Sequence, residues 1–163
     1  MPPAQPSGLA SQVGKRRPFD SPEQEAHLNI LRTACVLEGS LAPIFKDADL
    51  SPSSYNVLRI LRGAGPEGRR ATEIGCDMVV RVPDVTRLVD RLIEQGLAER
   101  RRCDEDRRVV FVRITRKGSQ LLHRLDAPVL EAHKAQLGHL TRKELAELNR
   151  LLVKARNEPE PPG

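Results

Sequence analysis

Asp84, Thr86 and Arg87 open a segment with two interleaved stripes: Val85, Leu88, Val89 and Leu92 on one, Asp84, Arg87, Arg91 and Glu94 on the other. Steps of three and four residues predict an amphipathic helix with one polar face. On duplex DNA such a face has definite chemistry. Arg87 can donate to a guanine edge, Thr86 can touch a thymine methyl or a phosphate, and Asp84 can accept from cytosine N4. The same face also reads as solvated surface. In that reading Asp84 is favoured by the helix dipole, Asp84–Arg87 and Asp90–Arg91 are neighbouring ion pairs, and Arg91 is a structural partner.

A second charged group follows. Arg100, Arg101, Arg102, Arg107 and Arg108 surround the acidic stretch Asp104-Glu105-Asp106. The flanking runs, Leu97 to Arg102 and Val109 to Thr115, read as strands joined by a charged turn from Cys103 to Arg108. A helix ending at Gly96 and a basic two-stranded ribbon make the plan of a winged helix-turn-helix. Its helix fits the major groove and its ribbon tip reaches the neighbouring minor groove. Arg107 then suits a phosphate contact. Thr72 and Lys117 complete the candidate DNA contacts.

These groups need a scaffold. Ser21-Pro22-Glu23-Gln24 carries the start signal of a first helix: a serine cap, proline at the first helical position and a capping box closed by Gln24. Its apolar face includes Leu28, Leu31 and Cys35, with Ile30, Ala34, Leu37, Leu41, Ile44 and Phe45 adjoining, and is wide enough to pack on a core and a partner together. Pro43 predicts a bend or an early stop. Ser51-Pro52 repeats the start signal before Tyr55, Val57, Leu58, Ile60 and Leu61. Thr72 can cap a short third helix reaching Met78. After the ribbon, Thr115 caps a long helix to about Leu137, with a kink expected at Pro128. Thr141-Arg142-Lys143-Glu144 boxes a last helix carrying Leu145, Leu148, Leu151 and Leu152. Residues 1–20, rich in proline and glycine, read as a disordered arm in which Lys15-Arg16-Arg17 could touch DNA backbone. Residues 158–163 read as a frayed tail.

Composition narrows the function. The 163 residues hold 27 Lys+Arg against 22 Asp+Glu, a formal +5. From Arg81 to Lys117 eleven basic residues face seven acidic ones, so most of the excess lies in the helix and ribbon. Aromatic residues are 2%, too few for the stacking platforms that hold single strands. Three widely spaced cysteines form no disulfide or zinc pattern, and no apolar run approaches a membrane span, so a cytoplasmic protein without membrane partner is expected. Cys35, on the apolar stripe, is expected in the core, as is Cys76 within the third helix. Cys103, after three arginines, could be exposed by chance or act as a thiolate sensor. His123, His133 and His139 are ten and six residues apart, spacings that place no two on one helical face, so no metal is expected. Gly63, Gly65 and Gly68 lack the Lys and Ser/Thr of a phosphate-binding loop, and no nucleophile or paired-carboxylate pattern stands out. Neither an enzyme nor a cofactor is expected.

The ordered set Leu50-Ser51-Pro52-Ser53-Ser54-Tyr55-Asn56-Val57-Leu58, Val85-Thr86-Arg87-Leu88-Val89-Asp90-Arg91-Leu92, Gly96-Leu97-Ala98-Glu99-Arg100, Asp106-Arg107-Arg108 and Thr115-Arg116-Lys117-Gly118 resembles the MarR (multiple antibiotic resistance regulator) family of bacterial transcription factors. The resemblance covers about residues 22–157. It implies a mainly α homodimer with a small β-wing, residues 50–117 forming the DNA-binding lobe and residues 21–49 and 118–157 the helical dimerisation lobe. It implies that Arg108 is the minor-groove arginine and that Asp106 holds the wing turn. In many members it implies a ligand crevice between the lobes. Phe45 and Tyr55 could line that crevice for a small aromatic or phenolic effector, with Arg59 as counter-charge, or both rings could simply pack the hinge. Asp84 stands where the family often has Ser or Thr, which should change base preference. The expected function is a repressor on a pseudo-palindromic operator, released by an effector. The alternatives are a winged-helix module for protein contacts and a thiol-based redox sensor.

Overall fold

The computed structural model describes residues 8–103, 106 and 108–157. After a helical turn α1 (Leu9–Gln12) come α2 (Pro22–Asp47), α3 (Pro52–Ala64), a 3-10 turn (Gly65–Glu67), α4 (Ala71–Asp77) and α5 (Val85–Glu94). Strands β1 (Ala98–Arg102) and β2 (Val110–Ile114) then precede the long α6 (Arg116–Leu137) and the final α7 (Arg142–Arg156). The fold is mainly α with a small antiparallel wing, as the residue pattern predicts.

Caps account for most of the boundaries. Ser21 Oγ accepts from the Gln24 amide at 3.2 Å, with Pro22 at the first helical position. The Gln24 side chain accepts from the Asp20 amide at 3.0 Å, one residue earlier than an ordinary capping box would have it. Ser51, Thr115 and Thr141 cap α3, α6 and α7 in the same way, and Glu144 closes the box at Thr141. Thr72 does not cap α4: the helix begins at Ala71, and Glu73 accepts from the Arg70 amide at 3.0 Å. Neither Pro43 nor Pro128 ends its helix. Each gives up a backbone hydrogen bond, but Phe45 beyond Pro43, and Leu125 and Val129 around Pro128, are buried and hold those turns in place.

The core lies in the middle of the chain. Val57, Leu58 and Leu61 of α3, Ile74 of α4, Val89 and Leu92 of α5, Val112 of β2 and Leu122 of α6 have almost no exposed surface, and Phe45 and Leu50 join them from the α2–α3 corner. The outer part of α2 and all of α7 contribute nothing to this core. Leu31 and Val36 of α2 are 54% and 64% exposed. Cys35 lies on that open face rather than in a core, and Cys76 is exposed as well. Helix α2 is also long and apolar enough to cross a membrane by length and composition, with a window of mean hydropathy 1.2, which corrects the expectation that no segment reaches that measure.

The start of the chain also differs from a wholly disordered arm. Leu9 and Ala10 of α1 are buried, and Arg32 Nε on α2 donates to Gln12 Oε1 at 3.1 Å.

Candidate nucleic-acid interface and the cavity beside it

Asp84 ends the turn before α5 with its side chain pointed back at the helix: Oδ1 accepts from the Arg87 amide at 2.9 Å. This cap fixes where the helix begins, and so where Thr86 and Arg87 sit. Val89 and Leu92 anchor the inner stripe, while Thr86, Arg87, Arg91 and Glu94 are exposed. The outer face borders an open groove of about 840 Å³ lined by Ser51, Ser53, Asp84, Arg87, Asp90 and Arg91, among others. Arg87 and Arg91 have no side-chain hydrogen bond or ion pair among the described residues. The Asp90–Arg91 pair of the solvated-face reading is not formed. Asp90 is instead paired with Arg100 of β1, which ties α5 to the root of the wing. Neighbours one step apart on a helix diverge, whereas β1 comes directly alongside.

The wing is held from three directions. β1 and β2 pair from Ala98↔Ile114 to Arg102↔Val110. Arg69 exchanges two backbone hydrogen bonds with Val112, at 2.9 and 2.8 Å, adding a one-residue third strand. That approach requires Gly68: its φ is +77°, and a Cβ there would lie 2.4 Å from the Val112 carbonyl oxygen. Arg113 pairs with Glu99 across the ribbon at 3.0 Å and donates to the Pro66 carbonyl at 3.0 Å. At the far end Asp106 turns the chain, accepting from the Arg108 amide through Oδ1 and from the Val109 amide through its carbonyl, both at 2.9 Å. Arg108 is exposed at this tip. Arg107, the expected phosphate contact, lies outside the described residues. Lys117 Nζ donates to the Gln95 carbonyl at 2.7 Å and closes the end of α5. Thr72 is exposed on the first turn of α4.

A second cavity, of about 450 Å³, lies at the corner of α2, α3 and α6. Glu38, Leu41 and Phe45 face it from α2, Tyr55 and Asn56 from α3, Met78 to Val80 from the loop after α4, and Val129 and His133 from α6. Phe45 and Tyr55 both line it and also pack together, ring centroids 4.7 Å apart. Arg59 does not line it. Its guanidinium donates to the Tyr55 hydroxyl at 3.0 Å and reaches Asp126 at 3.8 Å, on the far side of the tyrosine. Asp126 is gripped by Arg62 through two hydrogen bonds of 2.8 Å. Hydrogen bonding to Arg62 holds the Asp126 carboxyl below its ordinary range, against a smaller opposing effect of burial. Glu38, Asn56 and His133 were not anticipated at this cavity. The steps Glu38–Leu41–Phe45 and Val129–His133 carried the signal, each placing its members on one helical face. Among the described residues no three His, Cys, Asp or Glu side chains converge to hold a metal ion.

The MarR family model matches residues 50–110, which span α3, α4, α5 and β1 and reach the first residue of β2. The crystal structure of a MarR transcription factor from Planctomyces limnophilus is 44% identical, with a TM-score of 0.64, over 83% of this chain and 98% of that one. This chain belongs to the MarR family. Among curated MarR-like relatives, the transcriptional repressor MprA of Escherichia coli K12 is 31% identical over 119 residues, 66% of this chain and 68% of MprA. The Bordetella bronchiseptica regulator BpsR, whose DNA binding is described as regulated by 6-hydroxynicotinic acid, is 23% identical with a TM-score of 0.73, over 88% of this chain and all of BpsR, which speaks for the fold alone. The chain is thus a MarR-family transcriptional regulator, a DNA-binding class rather than a class of enzymes.

Proposed function

We propose that this regulator is a cytoplasmic repressor that binds a pseudo-palindromic operator as a homodimer and is released by a small aromatic or phenolic effector. The observation that carries the DNA-binding part is the unpaired state of Arg87 and Arg91 among the described residues, on an α5 held at its start by the Asp84 cap, at its middle by the Asp90–Arg100 pair and at its end by Lys117. A guanidinium without an internal partner on a rigid helix is free to take a base edge or a phosphate. Thr86 joins Arg87 in the major groove. Arg108 enters the minor groove from the wing tip, with Asp106 holding the turn. Asp84 spends one carboxylate oxygen on the cap, which leaves the other for cytosine N4. Arg107, Thr72 and Lys117 are assigned to the phosphates.

Dimerisation is supported by the apolar surface that the single chain leaves open. Leu28, Ile30, Leu31 and Val36 of α2, and Leu148, Leu151 and Val153 of α7, are all more than a third exposed. A patch of this kind on an ordinary soluble chain marks an interface. The same assignment places residues 21–49 and 118–157 in the dimerisation lobe. It also accounts for the apolar length of α2 without a membrane. A two-fold dimer would set its two α5 helices to half-sites about one helical turn, roughly 34–36 Å, apart. Release is supported by the second cavity, whose size suits one substituted ring. An effector there would act by binding more tightly to a spacing that does not match the operator.

A gel shift tests this reading, using the DNA immediately upstream of the protein's own gene against an unrelated duplex of equal length. Preferential, salt-sensitive binding of the upstream DNA is expected. Equal binding of both duplexes would point to non-specific contact, and no binding of either to a module for protein contacts.

A further inference from the structure

The chemistry of the second cavity is not that of a site for an aromatic acid. Its apolar walls are Leu41, Phe45, Tyr55, Met78, Val79, Val80 and Val129; its polar groups are Glu38, Ser53, Asn56 and His133. Among the described residues no lysine or arginine lines it. Arg59 and Arg62, the nearest cations of α3, are committed to Tyr55 and Asp126. The Asn56 side-chain oxygen is already taken, accepting from the Val79 amide at 2.9 Å. That leaves Glu38, one turn from Leu41 and two from Phe45 on the wall of the cavity, with no hydrogen bond or ion pair among the described residues. A carboxylate without a partner beside an apolar space attracts a cation and repels an anion.

We infer that the effector of this cavity is a basic aromatic compound, a ring bearing a protonated amine, and that Glu38 is the residue that selects it. The ring lies among Phe45, Tyr55, Met78 and Val129, and the ammonium points to Glu38. An aromatic carboxylate of the same size would set its charge against Glu38. This inference rests on the proposed effector reading and adds the chemical class.

Three probes of one shape separate the possibilities: tyramine, 4-ethylphenol and 4-hydroxyphenylacetate, which share the phenol ring and differ in the charge of the side arm. Binding is measured calorimetrically on the intact protein without DNA, and operator release is measured separately. Tyramine is expected to bind most tightly, with an advantage of at least about tenfold over 4-hydroxyphenylacetate. Glu38→Gln should reduce that advantage to within about twofold while leaving operator affinity unchanged, because Glu38 is exposed and makes no hydrogen bond or ion pair among the described residues. Glu38→Lys should reverse the order. Tighter binding of 4-hydroxyphenylacetate than of tyramine by the wild type would overturn the inference and leave the effector reading standing. An advantage for tyramine that survives Glu38→Gln would overturn the role of Glu38. If none of the three binds while the operator is still bound, the effector reading falls with it and the DNA-binding reading stands.

Discussion

Arg62 on α3 and Asp126 on α6 form a two-pronged pair, both hydrogen bonds 2.8 Å long, across the join between the winged lobe and the long helix that leaves it. Sixty-four residues apart in sequence, they tie α3 to α6. Arg59 reaches the same carboxylate and, through the Tyr55 hydroxyl, the wall of the second cavity. Tyr55 is thereby linked to the join through Arg59.

This pair makes stability depend on pH in a defined direction. Asp126 is held below its ordinary carboxyl range by Arg62, so the folded state prefers the ionised form. The stabilisation is present in full above the unfolded-state value, about 3.9, and is lost as pH falls through the depressed folded-state value. Asp126→Asn should cost about 1 kcal/mol at pH 7, since both partners are partly exposed and screened. Urea midpoints of the two proteins should differ at pH 7 and converge as pH is lowered through the acid range. A gap that widens on acidification would assign the pair no such role.

Gly68 is a steric requirement. Gly68→Ala drives a Cβ to within 2.4 Å of the Val112 carbonyl oxygen at a φ of +77°, so the Arg69–Val112 bridge must open. A loss of about 1–3 kcal/mol is expected. Amide exchange at Arg69 and Val112 should rise well before exchange at Leu58 and Leu61. Unchanged exchange at Val112 would show that the third strand accommodates a side chain.

Much of the fold could be read from the residues because its determinants are local. Ser21, Ser51, Thr115 and Thr141 cap the helices their spacing announces, and the alternation around Val112 marks the wing. What could not be read depends on contacts across the chain. The carboxylate of Asp90 chose Arg100 over its sequence neighbour, and Asp126 drew Arg59 away from the cavity. Pro43 reads as a bend or an early stop, and the helix runs on to Asp47 because the burial of Phe45 beyond it is a tertiary fact. Cys35 sits on an apolar stripe that the single chain leaves open, and periodicity alone cannot separate a core from a face awaiting a partner.

That open face can be tested directly. Leu148 and Leu152 lie one turn apart on α7, which has no buried residue in the single chain. Leu148→Asp with Leu152→Asp should therefore leave the winged core folded and yield monomers by light scattering, because a dimer would bury two charges without partners. A dimer of normal mass with full thermal stability would remove α7 from the interface.

The reading of DNA by α5 stands or falls on Arg87. Anisotropy titrations of wild type and Arg87→Ala, on the operator and on a random duplex at one salt concentration, test it most directly. The expected result is a loss of about 1–3 kcal/mol on the operator, with relaxed preference at one base pair per half-site and a much smaller loss on random DNA. Equal losses on both duplexes would contradict it, and would make Arg87 a phosphate contact on a helix that does not read sequence.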